Sequence, residues 1–310
     1  MKDYSIETFG LTKIFNGLPA VEDLTLKVRK GEVVGLLGPN GAGKTTTVRM
    51  LCCLLKPTSG KAFVVGYEVG KDSLEIRERI GLLPEVPGLY GELSALRNLE
   101  FHARLHGMPK EKARKRAEEL LRIFGLWKRR EDPVATFSKG MQQKIALARA
   151  MIHEPEVLFL DEPTSALDPE AARMVRDLIL ELRKEKRTIL LCTHNLHEAE
   201  ELCDGVAILN HRMLAFGPPR ELERTFGKKE VEIQVEGMSR RMVEALRKIE
   251  GVRSLRKEGN RWLVEVENPE KTNPEIVEVL VKMGGRVKYV KPISGGLEEV
   301  YLKLVRSDEV

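Results

Sequence analysis

A chain of 310 residues, 42% hydrophobic and 32% charged, has the balance of an ordinary globular protein and room for one large domain plus a smaller one. Its net charge of +5 is too small, and its basic residues too interleaved with Glu, for a nucleic-acid surface, so no nucleic-acid partner is expected. The four cysteines make no CxxC and no zinc spacing, and no apolar run reaches the roughly 18 residues a bilayer needs, which predicts a cytosolic chain in a reducing compartment.

Two alternating stretches open the chain, Ser5-Ile6-Glu7-Thr8-Phe9 and Val21 to Val28, each predicted to be a strand with one buried face. Between them Lys13-Ile14-Phe15-Asn16-Gly17 is a polar turn. Phe15 there is either a packing residue or a flat ring that stacks on an adenine base. Glu32-Val33-Val34-Gly35-Leu36-Leu37 then predicts a short buried strand, and Thr46-Thr47-Val48-Arg49-Met50-Leu51 the opening of an amphipathic helix. The stretch joining them, Gly38-Pro39-Asn40-Gly41-Ala42-Gly43-Lys44-Thr45, matches GxxxxGK[ST] at every fixed position. Glycines let the backbone bend round a polyphosphate so that successive N–H groups point inward, and the helix N-terminus adds partial positive charge. Lys44 supplies a mobile cation for the β- and γ-phosphates, and the Thr45 hydroxyl can ligate Mg²⁺. Cys52 and Cys53 fall in the helix that follows, as core thiols.

Residues 61–90 return to strand, helix and strand, and Ile80-Gly81-Leu82-Leu83-Pro84-Glu85 ends in a carboxylate just past an apolar run, where α/β proteins place ligands. From Ser94 to about Arg130 the pattern is helical and charged, with Lys110 to Arg116 as a solvated face. Ser138 is a good N-cap for a helix through Ile145, Leu147, Ala148 and Ile152, and an exposed helix N-terminus is an anion site. Val157-Leu158-Phe159-Leu160 predicts a strand buried on both faces, and Asp161 and Glu162 at its C-terminal end suit metal and water chemistry: one to hold Mg²⁺ or its water shell, the other to take a proton from the attacking water. Ser165-Ala166-Leu167-Asp168 makes the next turn. A further buried strand, Thr188 to Thr193, ends at His194, which is predicted to contact a γ-phosphate. Residues 206–209 and 213–216 read as a hairpin-like pair, followed by the Gly217-Pro218-Pro219 turn and a short helix to about Phe226.

Composition shifts at Gly227-Lys228-Lys229. Beyond it the chain predicts strand 230–236, helix 239–249, strands 252–258 and 261–267, helix 274–283 and strand 285–291, which is the β-α-β-β-α-β ferredoxin-like order, with a last helix over about 297–304. No catalytic constellation falls in this part.

With its motifs in this order, the chain resembles the ATP-binding subunit of an ABC transporter over roughly residues 4–225. The resemblance implies an α/β P-loop NTPase: a RecA-like core with an antiparallel β subdomain and a helical subdomain near 92–153. That domain is expected to span 1–227, with a C-terminal α+β ferredoxin-like domain over 228–310. Gly38 to Thr45, with Thr46, match the Walker A motif that holds ATP. Asp161 matches the Walker B aspartate, Glu162 the catalytic glutamate, His194 the switch histidine, Asp168 the D-loop and Phe15 the adenine-stacking aromatic. Ser138 and Gly140 match the signature sequence. Catalysis is thus expected from Glu162, His194 and Lys44, with Mg²⁺ held by Thr45, Asp161 and Glu85.

Two positions depart from the family pattern. The usual LSGGQ is Phe137-Ser138-Lys139-Gly140-Met141 here, and the Q-loop glutamine is Glu85, which accepts but cannot donate hydrogen bonds. The family's mechanism needs a second copy, whose Ser138 helix completes the ATP site, and a separate membrane permease. The chain is then expected to be peripheral on the inner face of the cell membrane. The stretch Leu83 to Tyr90, the Ser-Lys-Gly-Met signature and the tail Gly296 to Leu302 resemble the branch that exports drugs, antibiotics and sodium. The competing reading, a soluble ATPase of this family acting on ribosomes or DNA, fits less well with a single phosphate loop and no sustained heptads.

Overall fold

The computed structural model describes residues 3–165, 167–227, 229–259, 261–293 and 295–308. Ala166 of the expected turn, Lys228 of the composition shift and the domain limits 1 and 310 lie outside the described residues. Two compact units emerge, Met1–Pro219 and Arg220–Val310.

In the first unit the chain enters through β1 (Tyr4–Phe15), β2 (Leu18–Leu24) and β3 (Lys27–Arg29). It continues through β4 (Val33–Leu37) and α1 (Lys44–Leu51) to β5 (Ser59–Val64) and β6 (Tyr67–Glu68). β1 pairs antiparallel with β2, β3 and β5, and β6 extends that sheet. β1 is longer than its sequence pattern suggests. Asn16 and Gly17 both have positive φ, 49° and 84°, as a tight hairpin turn requires. The strands therefore run right up to the turn, and Phe15 is the last residue of β1, paired with Leu18, not a turn residue. Cys52 and Cys53 also move: α1 stops at Leu51, Cys52 caps it, and Cys53 takes φ 56°.

The second sheet holds the parallel core. After α2 (Ser73–Arg79) and β7 (Ile80–Leu83) come α3 (Ala95–Leu105), α4 (Lys110–Ile123) and α5 (Lys139–Met151). Then follow β8 (Val157–Asp161), α6 (Pro169–Lys184), β9 (Thr188–Thr193), α7 (Leu196–Leu202), β10 (Gly205–Asn210) and β11 (Arg212–Gly217). Strand order is β11-β10-β4-β9-β8-β7, parallel except for β11 at the edge. β4, β8 and β9 are buried along their whole length, which is why their sequences are continuous apolar runs and do not alternate. Register sets Leu37 beside Thr193, Asp161 beside Cys192 and Leu83 beside Leu160. The residues that follow these strands, Gly38, Glu162, His194 and Glu85, therefore leave one edge of the sheet.

The helical region carries two half-buried neutral histidines. Burial, with Arg149 and His106 adding to it, pushes His102 down to about 4; burial, with His106 again, does the same for His153. Unfolded, each takes up a proton near 6.5. Between these values the unfolded chain binds more protons, so the histidines' contribution is full above about pH 6.5 and is lost as pH falls towards about 4. Thermal unfolding from about pH 7.5 to about pH 4.5 should show a falling Tm, and the double variant His102→Gln/His153→Gln should flatten that fall.

The second unit takes in α8 (Pro219–Phe226) from Arg220 on, then β12 (Glu230–Glu236), α9 (Arg240–Leu246), β13 (Val252–Glu258) and β14 (Arg261–Val266). It ends with α10 (Pro269–Lys282), β15 (Arg286–Ile293) and α11 (Gly296–Asp308). The sheet order β13-β14-β12-β15, all antiparallel, is that of a ferredoxin-like fold. Val231, Ile233, Met242, Leu246, Val264, Ile276 and Leu280 form its core. α10 starts earlier than the expected 274. Asn268 caps it by accepting from the Glu270 N–H at 3.0 Å, Pro269 takes the first turn, and Pro274 lies inside the helix. Among the described residues no helix is long and apolar enough to cross a membrane.

Candidate active site

The loop from Gly38 to Gly43 turns β4 into α1 with its backbone pressed against neighbours. A Cβ at Gly38 would stand 2.5 Å from the Leu209 carbonyl oxygen, and one at Gly43, where φ is 97°, 2.4 Å from that of Ala20. Only glycine fits at both. His211, in the turn between β10 and β11, donates its N–H to the Ala42 carbonyl at 3.1 Å and accepts from the Glu22 N–H at 2.7 Å. β2 and the β10–β11 turn thus clamp the loop from outside. Within it, Ala42 donates to the Pro39 carbonyl at 3.2 Å, and Asn40 and Gly41 stay exposed. Lys44 is buried and folds back, Nζ donating to the carbonyls of Gly38 at 2.7 Å and Pro39 at 3.1 Å. These are contacts a mobile cation can exchange for an anion. Thr45 and Thr46 are half-buried at the start of α1.

Asp161 ends β8 at 3% exposure. Burial pushes its carboxyl up; the Thr45 hydroxyl draws it back, Glu85 raises it again, and Lys44 and Arg49 oppose that. Its Oδ1 is buried with no hydrogen-bond partner. An orphaned carboxylate oxygen beside a hydroxyl, with an exposed second carboxylate (Glu85) in range, is a donor set for a hard divalent cation that keeps much of its water. Among the described residues no group of three or more His, Cys, Asp or Glu side chains could hold a metal ion. Cys192, opposite Asp161 in β9, is fully buried, and its thiol is pushed well up, so it stays neutral.

Glu162 follows with φ 51°, unusual for a residue with a side chain and a stored strain of about 1–3 kcal/mol. Its N–H donates to the Cys192 carbonyl at 2.9 Å, which holds that turn. Its Oε2 lies 2.9 Å from His194 Nδ1. The glutamate side chain is 14% exposed and the imidazole 63%, so the ring reaches from the carboxylate into open solvent. A carboxylate with an imidazole fixed on it is the arrangement that a general base and its orienting group require.

A second cluster gathers where α5 and α6 begin. Ser138 caps α5, its Oγ accepting from the Met141 N–H at 3.3 Å, and Asp168 caps α6, accepting from the Ala171 N–H at 2.8 Å. The two ends touch: a Cβ on Gly140 would lie 3.2 Å from the Ala171 Cβ and 3.7 Å from Asp168 Oδ2. Ser138 and Lys139 are exposed. The clusters are joined by Gln143, buried in α5, whose Nε2 donates to the Pro163 carbonyl at 2.8 Å, next to Glu162. Phe15 stands apart at the hairpin tip, 44% exposed, with Lys13 Nζ 5.0 Å over its ring.

Sequence reasoning singled out the loop, the acids and the caps but missed Gln143, His211 and Glu198, the last at 2% exposure. A Gln or Glu in a helix reads as a solvated face. For Gln143 and Glu198 the only signal was position, each following a chemically assigned residue within two helical turns; His211, a turn residue between two strands, had none.

Comparison with known proteins matches a model of the ABC transporter family to residues 21–165, and one described as the ATP-binding protein DrrA1-3-like C-terminal domain to residues 217–305. The chain is 41% identical over 239 residues, 77% of each chain, to the bacitracin transport ATP-binding protein BcrA of Bacillus licheniformis. It is 41% identical to the daunorubicin/doxorubicin resistance ATP-binding protein DrrA of Streptomyces peucetius, over 72% of this chain and 68% of that one. The solved dimeric structure of a post-hydrolysis ATP-binding cassette, bound to ADP and Pi, matches with a TM-score of 0.63 at 27% identity, over 69% of this chain and 98% of that one.

Proposed function

The chain belongs to the ATP-binding subunits of the ABC transporter family, and we propose that it drives export of a substrate through a separate membrane permease, lying peripherally on the inner face of the cell membrane. The observation that carries the motor reading is the single sheet edge that presents the phosphate loop, Asp161 and the Glu162–His194 pair together. The family is one of ATPases, and this edge has the parts for hydrolysis.

In this reading Lys44 leaves the Gly38 and Pro39 carbonyls for the β- and γ-phosphates of ATP. The N–H groups from Gly38 through Thr46, with Pro39, Asn40, Gly41, Ala42 and Gly43 shaping the loop, cradle the phosphate chain. Phe15 offers its ring to the adenine. Thr45 and the Asp161 carboxylate would hold Mg²⁺, and Glu85 would add a second carboxylate charge nearby. Bound there, the cation neutralises charge on the β- and γ-phosphate oxygens. Glu162 takes the proton of the attacking water, and His194, fixed on Glu162, reaches the γ-phosphate. One copy contacts ATP from one side only. Ser138 and Gly140 of a second copy close the other side, Asp168 beside them, so ATP binding joins two subunits and hydrolysis releases them.

The relatives named for bacitracin transport and daunorubicin resistance support export. Tyr90 and Phe101, 49% and 40% exposed and in edge-to-face contact at 5.2 Å, give the helical region an apolar surface suited to a membrane partner. The test is to tag Glu162→Gln, extract source membranes gently with Mg-ATP, and identify what co-purifies. A multi-span membrane protein supports the motor. Ribosomes or DNA from the soluble fraction, with no membrane partner, would overturn it.

A further inference from the structure

Glu198 sits in the first turn of α7, where a glutamate three residues after an N-cap ordinarily reaches back to the cap's N–H. Here that role is taken. The Asn195 N–H donates to Thr193 Oγ1 at 3.0 Å, and Glu198 turns elsewhere. Its Oε2 accepts from Thr164 Oγ1 at 2.9 Å and lies 3.4 Å from Thr193 Oγ1. Its Oε1 faces Arg176 Nη1 at 3.5 Å. At 2% exposure the carboxylate gets little from water, so these groups are what keep it there.

The two threonines place this carboxylate. Thr164 lies just past Glu162 on the loop after β8, and Thr193 ends β9 at the point where the loop carrying His194 begins. One buried carboxylate thus grips both loops whose tips carry the Glu162–His194 contact of 2.9 Å. We infer that Glu198 is a positioning residue for ATP hydrolysis: it fixes the spacing of the Glu162 and His194 loops without touching the nucleotide. Thr164 is its partner on the first loop, and Arg176 supplies the countercharge from α6. The inference rests on the ATPase reading, which the Glu162→Gln control tests separately.

The experiment measures Mg-ATP turnover and ATP affinity of the full chain. Glu198→Ala is expected to lower kcat at least tenfold while ATP affinity stays within about twofold, because the phosphate loop is held by other contacts. Glu198→Gln keeps an oxygen for the two hydroxyls and is expected to recover most of the rate. In the Glu162→Gln background, single-turnover rates should show Glu198→Ala adding little, since the base whose placement it secures is already gone. A residue that merely supports the fold would instead lower kcat by the same factor in both backgrounds. Should Glu198→Ala fail to fold, Thr164→Val removes one grip from a half-buried surface and is read in the same way. An unchanged kcat, a loss of ATP affinity that matches the loss of rate, or full additivity with Glu162→Gln would overturn the proposal. Wild-type turnover that Glu162→Gln fails to abolish would overturn the assignment of the base, and with it this inference.

Discussion

Replacing Glu162 by Gln is expected to slow ATP hydrolysis by about 10²- to 10⁴-fold, the range a positioned general base contributes, and to leave ATP binding intact. The amide keeps the size of the side chain and an oxygen for the His194 ring, so the contact of 2.9 Å has a substitute. What it loses is the ability to accept a proton at neutral pH. The backbone at this position is already strained at φ 51° and held by the Cys192 carbonyl, so Gln should sit where Glu does. Lys44, the loop and Asp161 are untouched. If two copies close around ATP and only hydrolysis opens them, the variant must also accumulate as a dimer when Mg-ATP is present. Single-turnover hydrolysis and light scattering on a sizing column would measure both effects. A monomeric variant that turns over ATP at the wild-type rate would remove Glu162 from its role and the dimer from the mechanism.

The parts of this molecule that were legible in its sequence are those whose cause is local. The phosphate loop is visible because its glycines are set by backbone geometry within eight consecutive residues, and β4, β8 and β9 because burial on both faces leaves polar residues only at their ends. The Ser138 cap was visible because a cap and its N–H partner lie within one turn. The ferredoxin-like order could be read because elements such as β14, with Trp262, Val264 and Val266 on one face, keep a local period. What was hidden depends on residues far apart in the chain. Gln143 meets Pro163, Glu198 meets Thr164 and His211 meets Ala42, pairs that only the folded sheet brings together. Two local signals were overridden as well. Asn16-Gly17 is a hairpin turn, which lengthens β1 through Phe15, and Pro274 looked like the start of a helix that Asn268 had already capped.

The hydrogen bonds across the loop imply that its shape is set before any nucleotide arrives, and the glycines give a way to measure this. Gly43→Ala and Gly41→Ala add the same methyl at φ 97° and φ 86°, so both force a side chain into the left-handed region. That shared strain costs about 1–2 kcal/mol. Beyond it the two sites differ. The new Cβ at Gly43 falls 2.4 Å from the Ala20 carbonyl oxygen and 2.9 Å from Val21 Cγ2, whereas nothing lies within 4 Å of the one at Gly41. The Ala20 oxygen is backbone in a paired strand and cannot swing aside, so β2 or α1 must shift, at a further cost of about 1–3 kcal/mol. Gly43→Ala is thus expected to destabilise the first unit by about 2–5 kcal/mol, a fall in Tm of about 5–15 °C, and Gly41→Ala by the smaller amount alone. ATP binding should fall with Gly43→Ala in the same experiment, because Lys44 is the next residue and any shift of α1 carries its amine away from the Gly38 and Pro39 carbonyls that mark its place. Thermal unfolding of the two variants, with and without Mg-ATP, separates the terms. Equal Tm values would mean that the contact with β2 relaxes freely and that strain alone keeps glycine at this position.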